Sequence, residues 1–227
     1  MVCIQGAAST RMETDKIKLS TLLISIAGIV AVELTVRTLI GRNLLAPLTG
    51  VGLARLTEII FLIVLIYMQE KSLTIIGLSS AMIFRGFKRG FLWAISFGVA
   101  AGIVLLVFHL AGFRVSSLFR MQLPSERSAF ISFLLTGVII GPIAEEIFFR
   151  GLLYGFFRRW GIPAAIILST LLFVLPHSHA SGSLIPITQL IGGILFAVAY
   201  EIEKNLLVPI TIHTTGNLAI FALSLLI

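Results

Sequence analysis

Three short stretches in the second half of the chain hold residue types that do acid–base chemistry. Gly141-Pro142-Ile143-Ala144-Glu145-Glu146-Ile147-Phe148-Phe149-Arg150 sets two adjacent carboxylates and an arginine in an apolar run. Phe173-Val174-Leu175-Pro176-His177 closes a second apolar run on an imidazole. His213-Thr214-Thr215-Gly216-Asn217 sets an imidazole and an amide four residues apart in a third. On a helix Glu146 and Arg150 share a face, with the acid on the N-terminal side, the favourable order for an ion pair. Glu145 is turned about 100° from Glu146 and points elsewhere. One carboxylate is then neutralised, and the other is available as a general base. His213 and Asn217 share a helix face and can both donate hydrogen bonds to a developing oxyanion. The same spacing would suit a metal ligand with a weak second ligand. A base, an orienting imidazole and oxyanion donors are the parts of a hydrolytic site.

Each stretch also has a plainer reading. Arg150 could balance both acids and simply hold helices together. His177 could cap a helix end. His213 and Asn217 could make a polar contact between membrane helices. Cost argues against all three readings holding together. A carboxylate at the centre of a membrane helix costs roughly 2.5–3.5 kcal/mol on insertion scales. Ser169 and Ser178 lack the Gly-x-Ser-x-Gly setting of a nucleophile.

The elements that must carry these residues are apolar. The chain has 227 residues, of which 58% are hydrophobic and only 12% charged, with a mean hydropathy of +1.08. A soluble domain carries about a quarter charged residues, so much of this surface faces lipid. About 20 apolar residues cross a bilayer. Seven segments approach or meet that length: 19–40, 51–68, 91–113, 129–157, 162–176, 185–200 and 206–227. The expected fold is all-α, a polytopic integral membrane protein of about seven transmembrane helices with the site inside the bundle. Helices are required because lipid offers no partner to an open backbone group. Gly137, Gly141 and Pro142 could break the fourth segment.

The net charge of +7 fits the connections of a membrane protein, with no need for nucleic acid. Arg11, Lys16 and Lys18 precede the first segment, Lys71, Arg85, Lys88 and Arg89 follow the second, and Arg158 and Arg159 follow the fourth. With alternating spans these fall on one side, which puts the N-terminus in the cytoplasm. Arg114, Arg120 and Arg127 fall on the other side. Cys3 is the lone cysteine, so no disulfide forms within one chain. Residues 1–18 are polar and unlike a cleavable signal, and the first span is expected to remain as an anchor.

Residues 71–90 are expected to lie on the membrane surface as a short amphipathic helix. Pro124 is the expected starter of the fourth helix. Residues 177–186 read as a flexible Gly- and Ser-rich loop, with His179 a loop residue. Glu33 with Arg37, and Arg55 with Glu58, have the spacing of helical ion pairs. His109 reads as a packing or interface residue. Gln189 and Glu201 bracket the sixth segment, where either could line the cavity, and Gly192-Gly193 suit close helix packing.

Taken in order, Glu145-Glu146-x-x-x-Arg150, Phe173-x-x-x-His177 and His213-x-x-x-Asn217 resemble the three motifs of the CAAX protease and bacteriocin-processing (CPBP, or Abi) family of intramembrane proteases. The resemblance covers roughly residues 129–227. Residues 1–128 match only in being hydrophobic, with 1–18 expected as a polar segment and 19–128 as a membrane frame. The resemblance implies that Glu145 and His177 activate water, that Glu146 pairs with Arg150 in support, and that His213 and Asn217 stabilise the oxyanion. It implies a membrane-associated peptide or protein substrate, cleaved by CAAX-type or sorting-tail processing. The family has been read both as metalloproteases and as glutamate proteases. Two His and a Glu (Glu145, His177 and His213) could hold zinc, but HExxH is absent and the ligands would come from three helices. The metal-free version, without cofactor, is favoured. Rival readings are a non-catalytic immunity or scaffold protein and a proton-coupled transporter. The absence of inverted repeats argues against the transporter.

Overall fold

The computed structural model describes residues 17–115, 121, 123–181 and 186–226, without the side chains of 179–181. The expectations for Cys3, for residues 1–16, for Arg120 and for His179 as a side chain lie outside that set. Among the described residues every regular element is helical and there is no strand, as the backbone accounting of a bilayer demands. Seven helices carry the chain. They are α1 (Leu19–Gly41), α2 (Pro47–Glu70), α3 (Ile83–Leu110), α4 (Arg127–Trp160), α5 (Ile162–Ser181), α6 (Ile187–Glu203) and α7 (Leu207–Ser224). Five helical runs are long and apolar enough to cross a membrane: α1, α2, 73–110 including α3, α4 and α7. The α5 stretch Ile162–Ser178 is apolar but shorter, and α6 has 17 residues. Seven crossings remain compatible with this, and five are supported by length and composition.

Local chemistry moves several expected boundaries. No surface helix forms over 71–90. Two short 3₁₀ turns, Leu73–Ile76 and Ser80–Met82, lead directly into α3, whose first turns carry Arg85, Lys88 and Arg89. Ile75 and Ile76 of these turns are buried in the core. Gly77, at φ +73°, ends the first turn, and its carbonyl accepts from the N–H of Leu206. Pro124 does not start α4. Glu126 caps it, its carboxylate accepting from the N–H groups of Ser128 and Ala129 at 2.9 and 2.8 Å. Those bonds, with that of the Ser128 hydroxyl foremost, hold the Glu126 carboxyl below the usual carboxylate range.

Gly141 and Pro142 do not divide α4. The helix instead widens into π turns over Leu135–Ile140 and Ile147–Tyr154. Proline has no N–H to donate, and its ring collides with the carbonyl four residues back. A π turn absorbs this by passing the bonding back one residue further, and the Gly141 N–H reaches the Thr136 carbonyl. Pro176 likewise lies inside α5, which runs five residues beyond it. His177 to Ser181 are therefore helical, where the expected loop was to begin, and residues 182–185 of that loop lie outside the described set.

Polar ties gather the basic connections at one end. The Lys18 N–H donates to Glu70 (3.0 Å), and Arg159 donates to the Ile17 carbonyl (2.6 Å). Arg89 and Trp93 both donate to Glu203 (2.8 and 3.0 Å). Glu201 accepts from Tyr154 and Arg158 and pairs with Lys204, so it serves this end of the bundle and not the cavity. Gln189, at the other end of α6, accepts from Thr188 (2.6 Å). Farther along, Glu33 does not pair with Arg37. It takes Arg55 of α2 at 2.6 Å, and Arg55 also holds Glu58. The i,i+4 spacing of Glu33 and Arg37 lost to a partner on the packed neighbour. His109 is exposed in the last turn of α3.

Helix α3 packs along α7 by way of Gly86 and Gly90. A methyl group on Gly90 would stand 2.5 Å from Thr211 Cβ, whereas one on Gly98 would meet nothing within 4 Å. Gly90→Ala should therefore destabilise the protein by about 1–3 kcal/mol through overpacking. Thermal unfolding in detergent reads this as a lower midpoint, and Gly98→Ala should not lower it.

Candidate active site

The site forms where α4, α5, α6 and α7 converge. Its deepest part is charged. Glu146 and Arg150 have no exposed surface. Arg150 Nη1 donates to Glu146 Oε1 at 2.9 Å, and Nη2 donates to the Gly193 carbonyl of α6 at 3.1 Å. The guanidinium lies over the rings of Phe173 and Phe196, 4.5 and 5.1 Å from their centroids. The arginine's charge is thus met by one carboxylate, one carbonyl and two π faces. Gly193 makes room for this, because a Cβ there would meet Thr170 Cγ2 at 2.8 Å. That bears out the expected close helix packing at Gly193, whereas a Cβ on Gly192 would meet only Phe196 of its own helix.

Glu146 Oε1 also accepts from His213 Nδ1 at 2.8 Å. A carboxylate paired with arginine can only accept, so the His213 proton is assigned to Nδ1 and Nε2 keeps its lone pair. The ring is fixed by stacking on Phe196 (4.6 Å, 22°) and by an edge contact with Phe173 (5.9 Å, 80°). On α5, His177 Nδ1 lies 2.7 Å from the Phe173 carbonyl. A carbonyl also only accepts, so His177 too presents a bare Nε2.

Both Nε2 atoms face Glu145, at 3.8 Å for His213 and 4.0 Å for His177, measured to Oε2. Glu145 is partly exposed, unlike Glu146. Three acceptors turned on one another repel unless a donor or a cation sits between them. A water molecule with two protons meets that need. The donor types also suit zinc, but tetrahedral ligands at about 2.0–2.1 Å from the metal stand about 3.3 Å apart. The separations here are wider. Among the described residues, no three His, Cys, Asp or Glu side chains group closely enough to hold a metal ion.

The structure thus brings together Glu145, Glu146, Arg150, His177 and His213. Asn217 lies one turn beyond His213 on α7, and its Nδ2 donates to the Gly137 carbonyl at 2.8 Å. Gly137 belongs to the first π turn of α4, so Asn217 ties α7 to the helix that carries the glutamates. Sequence reasoning missed the aromatic packing. Phe173 touches Arg150, His177 and His213, yet it entered only as a motif position. Its place four residues before His177 was the available signal. The reach of the front helices was missed as well, since α2 packs against the Gly141–Glu146 turns that carry Glu145.

Residues 127–219 match the family model of type II CAAX prenyl endopeptidases, Rce1-like. That stretch contains all seven motif residues. An uncharacterised 24.3 kDa protein of Escherichia coli is 32% identical over 83 residues, 35% of this chain. The matched part spans 38% of that relative's length. No solved structure matches.

Removing Arg150 should be more damaging than removing any exposed charge. Arg150→Met leaves Glu146 buried without its cation, which costs about 3–5 kcal/mol. Arg150→Lys should not restore it, because one ammonium cannot span Glu146 and Gly193 while lying over two rings. Thermal unfolding of both variants beside the parent checks this.

Proposed function

We propose that the chain is, through residues 127–219, a CPBP-type relative of the Rce1-like CAAX prenyl endopeptidases whose family model it matches there, and that it is an intramembrane endopeptidase working by glutamate-activated water. Residues 129–227 are the catalytic helices in this reading, and 19–128 are their membrane frame. The substrate is a membrane-associated peptide or protein, cut near its C-terminus in the manner of CAAX or sorting-tail processing. The observation that carries the proposal is the facing of Glu145 by the Nε2 atoms of two imidazoles whose Nδ1 atoms are each engaged elsewhere.

The steps follow from proton positions. A water molecule between Glu145 and His177 gives a proton to Glu145 as its oxygen attacks the scissile carbonyl. The carbonyl π bond opens to an oxyanion. Asn217 donates to that oxyanion through its amide. His213 joins it from Nε2 after taking a proton there from solvent, with Glu146 on Nδ1 as counter-charge, and gives that proton back to solvent when the amine leaves. The carbon–nitrogen bond then breaks, and Glu145 returns its proton to the leaving amine. Glu146 and Arg150 do not touch the substrate; they hold His213 in place.

A zinc-dependent version is the second reading. It is favoured by one feature, that each imidazole has its Nδ1 engaged by an acceptor, as metal-bound histidines commonly do. The wide ligand separations favour the metal-free version. The basic connections support an integral membrane placement with the N-terminus in the cytoplasm, in a bacterial inner or plasma membrane.

Cleavage of a tagged membrane-anchored peptide by the purified protein tests the proposal. Glu145→Ala and His177→Ala should each lower turnover about 10²–10⁴-fold, the usual contribution of a general base. Asn217→Ala should lower it about 10²–10³-fold, as for one oxyanion donor. Parental activity in Glu145→Ala would overturn the site assignment. Activity should survive a strong chelator. Loss of activity that zinc restores would replace the metal-free version with the second reading.

A further inference from the structure

Burial in the bundle is lopsided along its axis. On α4 the stretch from Gly141 to Phe156 is mostly buried, whereas Leu135, Gly137 and Ile139 are exposed. On α5, Phe173 is buried and Leu175 exposed, and the His177 side chain is 27% exposed. On α6, Phe196 and Tyr200 are buried, and Ile187 and Ile191 are exposed. On α7, Val208 to His213 are buried, and Leu218 and Leu223 are exposed. On α4, α6 and α7 burial falls off in the same direction, while α5 exposes Ile162, Ile167 and Leu171 as well as Leu175. The packed halves lie at the end where Lys18, Arg89, Arg158 and Lys204 are tied together, and the loose halves lie at the opposite end.

The packed end is sealed beneath the site. Tyr154 and Tyr200 have no exposed surface and meet edge to face at 5.5 Å. Leu206 and Val208 are fully buried beside them, and the turn holding Ile76 belongs to the same core. A peptide could not reach Glu145 from that end without dismantling the core. Toward the other end Glu145 is 22% exposed, and Asn217 lies one turn farther along α7 than His213.

Charge distinguishes the two ends. Of the 17 Lys and Arg residues, Arg55 and Arg150 lie well inside helices, away from either end. Among the described residues, eight fall at the sealed end and four, Arg37, Arg42, Arg114 and Arg127, fall at the open one. Cytoplasmic connections carry the excess of Lys and Arg. The sealed end is therefore the cytoplasmic one.

We propose that the catalytic cleft opens away from the cytoplasm, and that its substrate is the non-cytoplasmic segment of a translocated or membrane-anchored polypeptide. The substrate half of this statement rests on the endopeptidase reading above. The sidedness rests on packing and charge alone.

Cysteine labelling of the full-length protein in intact cells tests it. Native Cys3 marks the N-terminal side. In a Cys3→Ser background, Ser178→Cys and Gly216→Cys mark the open end on two different helices. Gly216 has open space around it, so its substitution keeps the test valid if Ser178→Cys folds poorly. A membrane-impermeant maleimide should label the Ser178→Cys and Gly216→Cys variants in intact cells, and Cys3 of the parent only after the membrane is opened. The proposal is overturned if both open-end variants are protected until the membrane is opened, or if Cys3 is labelled in intact cells. Protection of both variants from either side also overturns it, because the open end would then face lipid. Labelling decides the side and peptide cleavage decides the chemistry, so the two readings fail separately.

Discussion

An arginine with no exposed surface has to meet its charge inside the protein, because desolvating it alone costs several kcal/mol. Arg150 does so with Glu146, the Gly193 carbonyl and the faces of Phe173 and Phe196. This constraint fixes the arrangement around it. Glu146 has to point into the bundle, so its neighbour Glu145 is turned toward the looser side. The oxygen that takes Arg150 also takes His213, which sets that ring's tautomer and aims its Nε2. Three helices besides α4 are therefore placed by one ion pair.

Phe173 ties the pieces together without any charge of its own. It covers the guanidinium, meets both imidazoles, and its carbonyl holds the His177 proton. A face of negative quadrupole beside a buried cation is favourable, and an aromatic wall keeps water from the ion pair. Glu145 lies outside this wall, where a water molecule can reach it. Two glutamates adjacent in sequence thus occupy different environments, one dry and neutralised, the other open and facing two acceptors. α2 packs against the Gly141–Glu146 turns of α4 and carries the buried Glu58 with its partner Arg55, so it is more than a lipid-facing support.

Much of this could be read from residue types and spacing. The apolar segments followed from composition because lipid rewards nothing else. The Glu146–Arg150 pair followed from i,i+4 geometry on one helix, and the separation of Glu145 followed from the turn angle. Interactions between helices were less legible. Glu33 had two arginines within reach in principle, and only packing of α1 on α2 selected Arg55. Pro142 and Pro176 look like breaks in a linear reading. In a bilayer a broken helix leaves open backbone groups, so α4 widens into π turns and α5 carries its proline. The 71–90 stretch reads as amphipathic, but its apolar residues Ile75 and Ile76 face protein, not lipid. The aromatic packing around Arg150 was hidden because phenylalanines are commonplace in a hydrophobic chain.

The division of labour between the adjacent glutamates is the centre of this account, and two isosteric substitutions separate them most directly. Glu145→Gln and Glu146→Gln are compared for unfolding midpoint and for single-turnover cleavage of one peptide. Glu145→Gln should lose turnover while keeping the parental midpoint, and Glu146→Gln should lower the midpoint by stripping Arg150 and His213 of their shared partner. A Glu146→Gln protein as stable as the parent, together with a Glu145→Gln protein that still cleaves, would contradict it.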